Sequence, residues 1–147
     1  EPGLVGATFE NESVYAPIIL DGAHCDYAAA RLAYKLKKDK FFLISDATFL
    51  GRKIQNFKWD NFEAHLENGF YRNDEGNLAG ATISMEEAVQ NAYRNLNVSV
   101  DEAIKMATSQ VASAIKMDNE IGKIKSGFPA HFVTFNDDLS RIESMLF

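Results

Sequence analysis

Two short apolar runs without polar alternation constrain the fold of this 147-residue chain more than any other feature. They extend from Val14 to Leu20 and from Phe41 to Ile44, and such runs are typical of parallel strands covered on both faces. Between them, from about Asp26 to Lys38, apolar side chains recur at the spacing of a helix face, namely Ala29, Leu32, Ala33 and Leu36. The order strand, helix, strand predicts a βαβ unit and an α/β fold class.

Turn-forming residues divide the stretch from Phe49 to Asn77 into alternating and aromatic segments, which predicts a small antiparallel meander. Ser84 and Ser99 are each followed three residues later by Glu, the pattern of a capping box at a helix start. Apolar residues behind each box keep helical spacing. Two amphipathic helices are therefore expected, the second continuing with a break to about Met117.

The two ends of the chain carry different signals. Residues Glu1 to Gly6 contain Pro and two Gly and are typical of a loop, and we expect the chain to be part of a longer protein. Beyond Gly122 the residues become apolar and aromatic, and residues 131–135 are expected to form a strand. The chain is thus predicted to end in β-structure.

Composition excludes several classes of function. The formal net charge is −6, and the basic residues are scattered among acidic ones, so we expect no nucleic-acid partner. No apolar run approaches the roughly 18 residues that a membrane helix needs, and we expect no membrane contact. The single cysteine cannot form an internal disulfide, which makes the cytoplasm the expected location.

Polar residues follow both apolar runs. Residues 21–24, Asp-Gly-Ala-His, come after the first run, and Asp46 comes after the second. Because parallel strands end at the same edge of a sheet, these residues are expected to lie side by side where ligands bind. A carboxylate there can move a proton or merely cap a turn. Both interpretations stay open for Asp46, a turn cap is favoured for Asp21, and the position of His24 favours substrate binding.

The remaining candidate residues carry weaker signals. Cys25 has no neighbouring cation or second Cys and is expected to be a buried, inert thiol. His65 and His131 have no partner at metal-ligand spacing and are interpreted as structural. Residues 76–82 form a Gly-containing stretch before a capped helix, where a hydroxyl or acyl group could bind, although such stretches are common for conformational reasons alone.

Three blocks of sequence, taken together, resemble the carboxyl-terminal half of the N-acetylglucosamine-6-phosphate deacetylases, which are amidohydrolases. These blocks are Asp21–Tyr27, Ile44–Thr48 and Leu78–Met85. The resemblance implies an α/β fold: the C-terminal portion of a (β/α)₈ TIM-type barrel in residues 1–120, with a β-hairpin insertion at about 52–77. Residues 121–147 would be a short segment of the small β-sandwich domain.

The resemblance also implies roles for individual residues. Asp46 would be the catalytic acid/base that assists hydrolysis of a linear amide, the N-acetyl group of an amino-sugar phosphate, to glucosamine 6-phosphate and acetate. The implied substrate-binding residues are Asp21, Gly22, Ala23, His24, Leu78, Ala79 and Gly80. His24 would help to hold the sugar phosphate, across the interface of a homodimer in the complete enzyme.

A divalent metal, zinc by preference, is implied for the complete enzyme, but its ligands, one Glu and two His, belong to earlier strands outside this chain. We therefore expect this chain alone to bind no catalytic metal and to be inactive. The sequence departs from the family pattern at Phe49-Leu50-Gly51, where a Pro-Ala-Gly type turn is usual, and at His131, where Asp is common. Two alternatives stay open: another amidohydrolase acting on a cyclic amide or other N-acyl substrate, and a non-catalytic folding or dimerisation fragment.

Overall fold

The computed structural model describes residues 3–47, 54–60, 62–136, 139 and 141–145. Within these ranges the helices are α1 (Gly3–Glu10), α2 (Tyr27–Lys37), α3 (Met85–Asn95), α4 (Val100–Ala107) and α5 (Ser109–Ala114). The strands are β1 (Ala16–Ile19), β2 (Phe41–Ile44), β3 (Asn56–Trp59), β4 (Phe62–Glu67), β5 (Phe70–Arg72), β6 (Phe132–Phe135) and β7 (Arg141–Met145). None of the described helices has the length and apolar character needed to cross a membrane.

The predicted βαβ unit is present. Strands β1 and β2 pair in parallel, with Ile18 opposite Leu43 and Ile19 opposite Ile44. Helix α2 connects them, and the carboxylate of Asp26 caps its start by accepting a hydrogen bond of 2.7 Å from the backbone N–H of Ala28. Strand β2 has the predicted bounds, whereas β1 is shorter than the apolar run around it.

The main core lies where helices α3 and α4 pack against β2. Its buried members include Leu20, Phe41, Leu43, Ile83, Val89, Leu96 and Met106. The buried side of α2 consists of Ala30, Ala33 and Lys37. The predicted apolar face of α2 is therefore partly wrong, since Leu32 and Leu36 are more than half exposed. Helical spacing identifies a face but not what covers it.

The prediction of a loop at the start of the chain is wrong, because Gly3–Glu10 forms helix α1. Two glycines lower the intrinsic helix propensity of this segment, but tertiary contacts override it. The buried ammonium group of Lys37 donates hydrogen bonds to the backbone carbonyls of Thr8, at 3.0 Å, and Asn11, at 2.7 Å. Lys37 thus supplies hydrogen-bond donors to carbonyls in the last turn of the helix and just after it.

The predicted meander is confirmed as an antiparallel sheet in the order β3-β4-β5. Its register places Phe57 opposite Ala64 and Leu66 opposite Tyr71. These apolar side chains form a second, smaller core with Ala79. The atypical turn Phe49-Leu50-Gly51 lies outside the described residues.

Both predicted capping boxes form. The hydroxyl of Ser84 accepts from the backbone N–H of Glu87, whose carboxylate accepts from the N–H of Ser84, and Ser99 and Glu102 repeat this arrangement. The second helix is broken, as predicted, and the break lies at Thr108, between α4 and α5. Helix α5 ends at Ala114, earlier than the expected Met117.

Replacing Ser84 by Ala is expected to lower the free energy of unfolding by about 1 kcal/mol, because one backbone N–H of the first turn of α3 loses its acceptor. Urea unfolding of both proteins measures the difference. Ser126→Ala, which changes an exposed serine in a turn, is the matched control and should leave stability unchanged. Equal effects of the two substitutions would contradict a capping role.

The described chain ends in an antiparallel pair, β6 and β7, with an irregularity in register between Thr134 and Phe135. His131 is exposed and directly precedes β6. The predicted strand at 131–135 is confirmed with a start one residue later. The assignment of residues 121–147 to a separate domain stays a prediction.

Candidate active site

The parallel pair brings the two predicted polar segments to one edge. Ile19 lies opposite Ile44 at the carboxyl ends of β1 and β2, and Asp21 and Asp46 each follow by two residues. Loops that leave parallel strands at this end build the ligand sites of α/β proteins. The arrangement is that of a candidate active site.

Asp21 and His24 form a closely bonded pair in the loop after β1. One oxygen of the Asp21 carboxylate accepts hydrogen bonds of 2.9 Å from the backbone N–H groups of both Ala23 and His24. The other oxygen lies 2.7 Å from Nδ1 of His24. The Asp21 side chain is only 4% exposed and that of His24 is 20% exposed. The turn-cap interpretation of Asp21 is thus correct, and the same carboxylate also orients the imidazole.

Because Nδ1 of His24 faces Asp21, Nε2 is the ring atom that can contact a ligand, and it has no hydrogen-bond partner among the described residues. Gly22 shapes this loop with a positive φ of 78°. A Cβ at this position would lie 3.0 Å from the ring of Tyr27, so glycine fits both the backbone and the space.

The carboxyl group of Asp21 is stabilised as an anion. Burial raises its pKa, but hydrogen bonds from the His24 imidazole and from the backbone N–H groups of His24 and Ala23 outweigh burial, so the pKa lies below its usual value of 3.8. A carboxyl group whose pKa is lower in the folded than in the unfolded state stabilises the fold at pH values above its unfolded-state pKa. This stabilisation is lost as the pH falls through the folded-state pKa.

Asp21→Asn is therefore expected to reduce the free energy of unfolding by about 1.5 kcal/mol near neutral pH, where a charged acceptor is lost. The deficit should shrink as the pH falls below the usual carboxyl value of 3.8. Urea unfolding over this pH range measures both effects, with Glu120→Gln, at an exposed carboxylate, as control. A deficit that did not change with pH would contradict the charge argument.

Asp46 has an exposed side chain and a positive φ of 45°. Its carboxylate caps no backbone N–H group of another described residue, whereas its backbone carbonyl accepts a hydrogen bond of 3.1 Å from the N–H of Ala81. Ala47 and Ala81 form an isolated parallel bridge next to this bond. Asp46 is thus joined directly to the segment that follows Leu78–Gly80.

The Leu78–Gly80 loop is held between the meander and the end of β2. Its Leu78 bridges Arg72, and the N–H of Ala79 donates a hydrogen bond of 2.9 Å to the carbonyl of Tyr71. Gly80 has a positive φ of 88°, which turns the chain towards Ala81. The structure therefore brings Asp46 and this predicted substrate loop together.

Sequence reasoning gave no individual role to two polar residues that support the site. The amide of Asn91 on α3 donates a hydrogen bond of 2.9 Å to the carbonyl of Leu20, directly before Asp21. Asn91 and Asp21 also line one cleft of about 370 Å³. The buried hydroxyl of Thr82 donates a 2.6 Å bond to the carbonyl of Gly69. Their only sequence signal is a polar residue next to apolar helix or strand positions.

The structure agrees with the expectation for one weaker candidate, Cys25, but not for another, His65. Cys25 is half-buried, and burial, with the nearby charges of Asp26 and Asp21, raises the pKa of its thiol, in agreement with an inert role. The expectation that His65 has no partner at ligand spacing is wrong, because donor atoms of Glu63, His65 and Asp74 lie within 4.8 Å of one another.

The donors at the two strand ends do not complete a site for the divalent metal that the resemblance implies. Asp21 and His24 bond to each other, and Asp46 is a single carboxylate. The one group of three potential metal ligands among the described residues lies on the meander. That the ligands of the implied catalytic metal lie outside this chain stays a prediction.

Comparison with known proteins adds independent information. The model of the amidohydrolase family matches residues 18–146. The chain is 29% identical to an N-acetylglucosamine-6-phosphate deacetylase of Haemophilus influenzae, covering 99% of this chain and 39% of that protein. It is 35% identical to an N-acetylgalactosamine-6-phosphate deacetylase of a Shewanella species, covering 94% of this chain and 35% of the relative.

A solved structure shares the fold. The crystal structure of the N-acetylglucosamine-6-phosphate deacetylase from Pasteurella multocida superimposes with a TM-score of 0.91 and 32% identity, covering 97% of this chain and 38% of that one. This chain thus spans well under half of each of these three proteins.

Proposed function

We propose that this chain, which belongs to the amidohydrolase family, is part of a deacetylase that hydrolyses the N-acetyl amide of N-acetylglucosamine 6-phosphate to glucosamine 6-phosphate and acetate. One observation carries the proposal. Asp46, two residues after β2, is bonded through its backbone to Ala81, so that this residue lies next to the Leu78–Gly80 loop and at the same strand edge as Asp21–His24.

In this proposal Asp46 moves the protons of the reaction. An amide carbonyl resists neutral water, and an amine leaves poorly unless it is protonated. The carboxylate of Asp46 takes a proton from the attacking water and delivers it to the nitrogen as the carbon–nitrogen bond breaks. The exposed position of the side chain and the absence of a capped N–H among the described residues leave the carboxylate available for this role.

The substrate would lie between two loops. His24, oriented by Asp21 at 2.7 Å, would present Nε2 to the phosphate. The Leu78–Gly80 backbone would border the sugar, since Ala79 is bonded to Tyr71 and the adjacent Ala81 is bonded to Asp46. Asp21 and Ala23 would act mainly by holding the imidazole, and Gly22 by allowing the turn.

The larger architecture belongs to the same proposal. Strands β1 and β2 would be the last two strands of a (β/α)₈ barrel, and residues 121–147 a segment of the β-sandwich domain. The open edges of a two-stranded parallel sheet are consistent with pairing to further strands. A cytoplasmic homodimer with a divalent metal, zinc by preference, completes the proposal.

The epimer N-acetylgalactosamine 6-phosphate is a second candidate substrate. The observation that favours it is the 35% identity to the Shewanella enzyme named for that substrate, which exceeds the 29% identity to the Haemophilus enzyme. Both substrates share the amide and the phosphate, so the proposed roles of Asp46 and His24 apply to either.

Substrate comparison with the full-length protein tests the proposal. Removing the 6-phosphate from the substrate is expected to lower kcat/KM by about 100-fold or more, because the polar groups that would bind the phosphate are then left without a partner. Steady-state rates with both epimers and with unphosphorylated N-acetylglucosamine provide the measurement. An unchanged kcat/KM without the phosphate would favour another N-acyl substrate, and no hydrolysis of any would favour a non-catalytic fragment.

A further inference from the structure

The meander has one apolar and one mainly polar face. Alternation along its strands, read with the register, places the inward side chains Phe57, Ala64, Leu66 and Tyr71 on the face that forms the smaller core. The alternate positions lie on the opposite face, and all but Phe70 are polar: Asn56, Lys58, Glu63, His65, Glu67, Phe70 and Arg72. Asp74 follows β5 by two residues and falls in line with Glu63 when the pairing is extended.

Three side chains with metal-ligand chemistry converge on this polar face. One donor atom each from Glu63, His65 and Asp74 lies within 4.8 Å of the other two. His65 Nε2 is 2.8 Å from Oδ1 of Asp74. The donors come from β4 and from the turn after β5, so the sheet register and not a local charge run brings them together.

Contacts on both sides of the ring hold His65 in place. On its other side, Nδ1 lies 2.9 Å from Oδ1 of Asn56. When Nδ1–H donates to Asn56, Nε2 is the ring nitrogen that faces the carboxylate oxygen of Asp74. At 2.8 Å this contact is a hydrogen bond with one proton between the two atoms, and a metal ion would take the place of that proton. Donation of the second ring nitrogen to an oxygen is also how metal-bound histidines are usually oriented.

Next to this pair is a cleft of about 410 Å³, lined by Lys58, Asp60, Glu63, Asn73, Asp74 and Glu75. Four of these six residues are acidic, and the space can hold the water molecules that complete a coordination shell. Lys58 pairs with Glu63, but the lysine side chain is 72% exposed. Such an exposed ion pair contributes little, and the lysine can turn away.

We propose that Glu63, His65 and Asp74 form a binding site for a divalent transition metal ion such as zinc, with one nitrogen and two oxygen ligands. The site does not depend on the proposed deacetylase activity and is separate from the implied catalytic metal. Its structural effect follows from its position. The ion would link β4 to the 73–77 turn, where Asn73 Oδ1 accepts hydrogen bonds from the N–H groups of Glu75 and Asn77, and this turn leads into the Leu78–Gly80 loop.

Isothermal titration of the 147-residue chain with zinc chloride, after removal of bound metal by a chelator, tests the site. One equivalent is expected to bind. His65→Gln and Asp74→Asn should each weaken binding by about 100-fold or more, and Asn56→Ala by about 10-fold as the loss of an orienting partner. Glu75→Gln, at a carboxylate in the same cleft outside the ligand set, is the matched control and should bind as tightly as the parent.

Circular dichroism checks that each variant is folded, and the exposure of the His65 side chain, 45%, favours this. Absence of zinc binding, or zinc binding unaffected by His65→Gln and Asp74→Asn, would overturn the proposal. Nitrogen-15 NMR of His65 gives a second measurement that does not depend on a substitution. If Nε2 carries a proton and its signal does not change when zinc is added, that proton occupies the position between Nε2 and Asp74. This result would overturn the metal site.

The result is distinguishable from failure of the proposed function. Zinc binding is measured without substrate, and none of its variants alters Asp46, His24 or the Leu78–Gly80 loop. Loss of this metal site would leave the deacetylation proposal standing, and an active Asp46 variant would leave this site standing.

Discussion

Replacing Asp46 by Asn in the full-length protein is expected to lower kcat by about 1000-fold and to change KM much less. Asn keeps the size of the side chain and leaves the backbone bond to Ala81 intact, so the loop geometry should be preserved. It can neither accept the proton of the attacking water nor return it to the departing amine. Steady-state kinetics with N-acetylglucosamine 6-phosphate separate the effect on turnover from that on binding.

Asp39→Asn is the matched control for this experiment. Asp39 is an exposed carboxylate in the turn before β2, at the opposite end of the strand from Asp46, and its replacement should leave both kinetic parameters unchanged. Near-parental turnover of Asp46→Asn would remove Asp46 from the acid/base role. It would favour instead the alternative that this residue only connects β2 to the following loop.

Replacing Phe41 by Ala is expected to lower the free energy of unfolding of this chain by about 4 kcal/mol. Phe41 is fully buried, and its ring contacts that of Tyr34 edge-on, with centroids 5.7 Å apart and planes inclined by 72°. Truncation removes this contact and leaves a cavity between β2 and the helices that rigid neighbours fill only in part. Chemical denaturation monitored by circular dichroism measures the loss.

Phe42→Ala provides the comparison, since the adjacent residue points to the other face of β2. Phe42 is only half-buried and contacts Tyr15 at a centroid distance of 6.2 Å. Its truncation should cost roughly half as much or less, because less apolar area is removed from contact. Equal losses for the two variants would contradict the assignment of the core to the Phe41 face.

Elements whose signals lie in consecutive residues could be predicted from the sequence. The capping boxes at Ser84 and Ser99, strand β2 and the meander all form as predicted, because caps, turns and side-chain alternation act over a few residues. The resemblance to deacetylases also came from short blocks, and it is confirmed by the amidohydrolase family match over residues 18–146 together with the similarity to N-acetylglucosamine-6-phosphate deacetylases.

Features that depend on distant partners could not be predicted in this way. Helix α1 forms although its sequence is typical of a loop, since Lys37 from α2 donates hydrogen bonds to carbonyls at its end. Leu32 and Leu36 keep helical spacing and are nevertheless exposed. The proximity of Glu63, His65 and Asp74 depends on strand register, and no spacing pattern in the chain indicates it.

The candidate site shows the same division. The order of residues was enough to show which polar residues follow the two strands, that a carboxylate stands at position 46, and that a glycine-containing loop precedes α3. The bond from Asp21 to the imidazole of His24 and the bond from Asp46 to the segment after Gly80 became visible only in the folded chain. Local propensity acts within a few residues, whereas contacts between loops depend on how the sheets and helices pack.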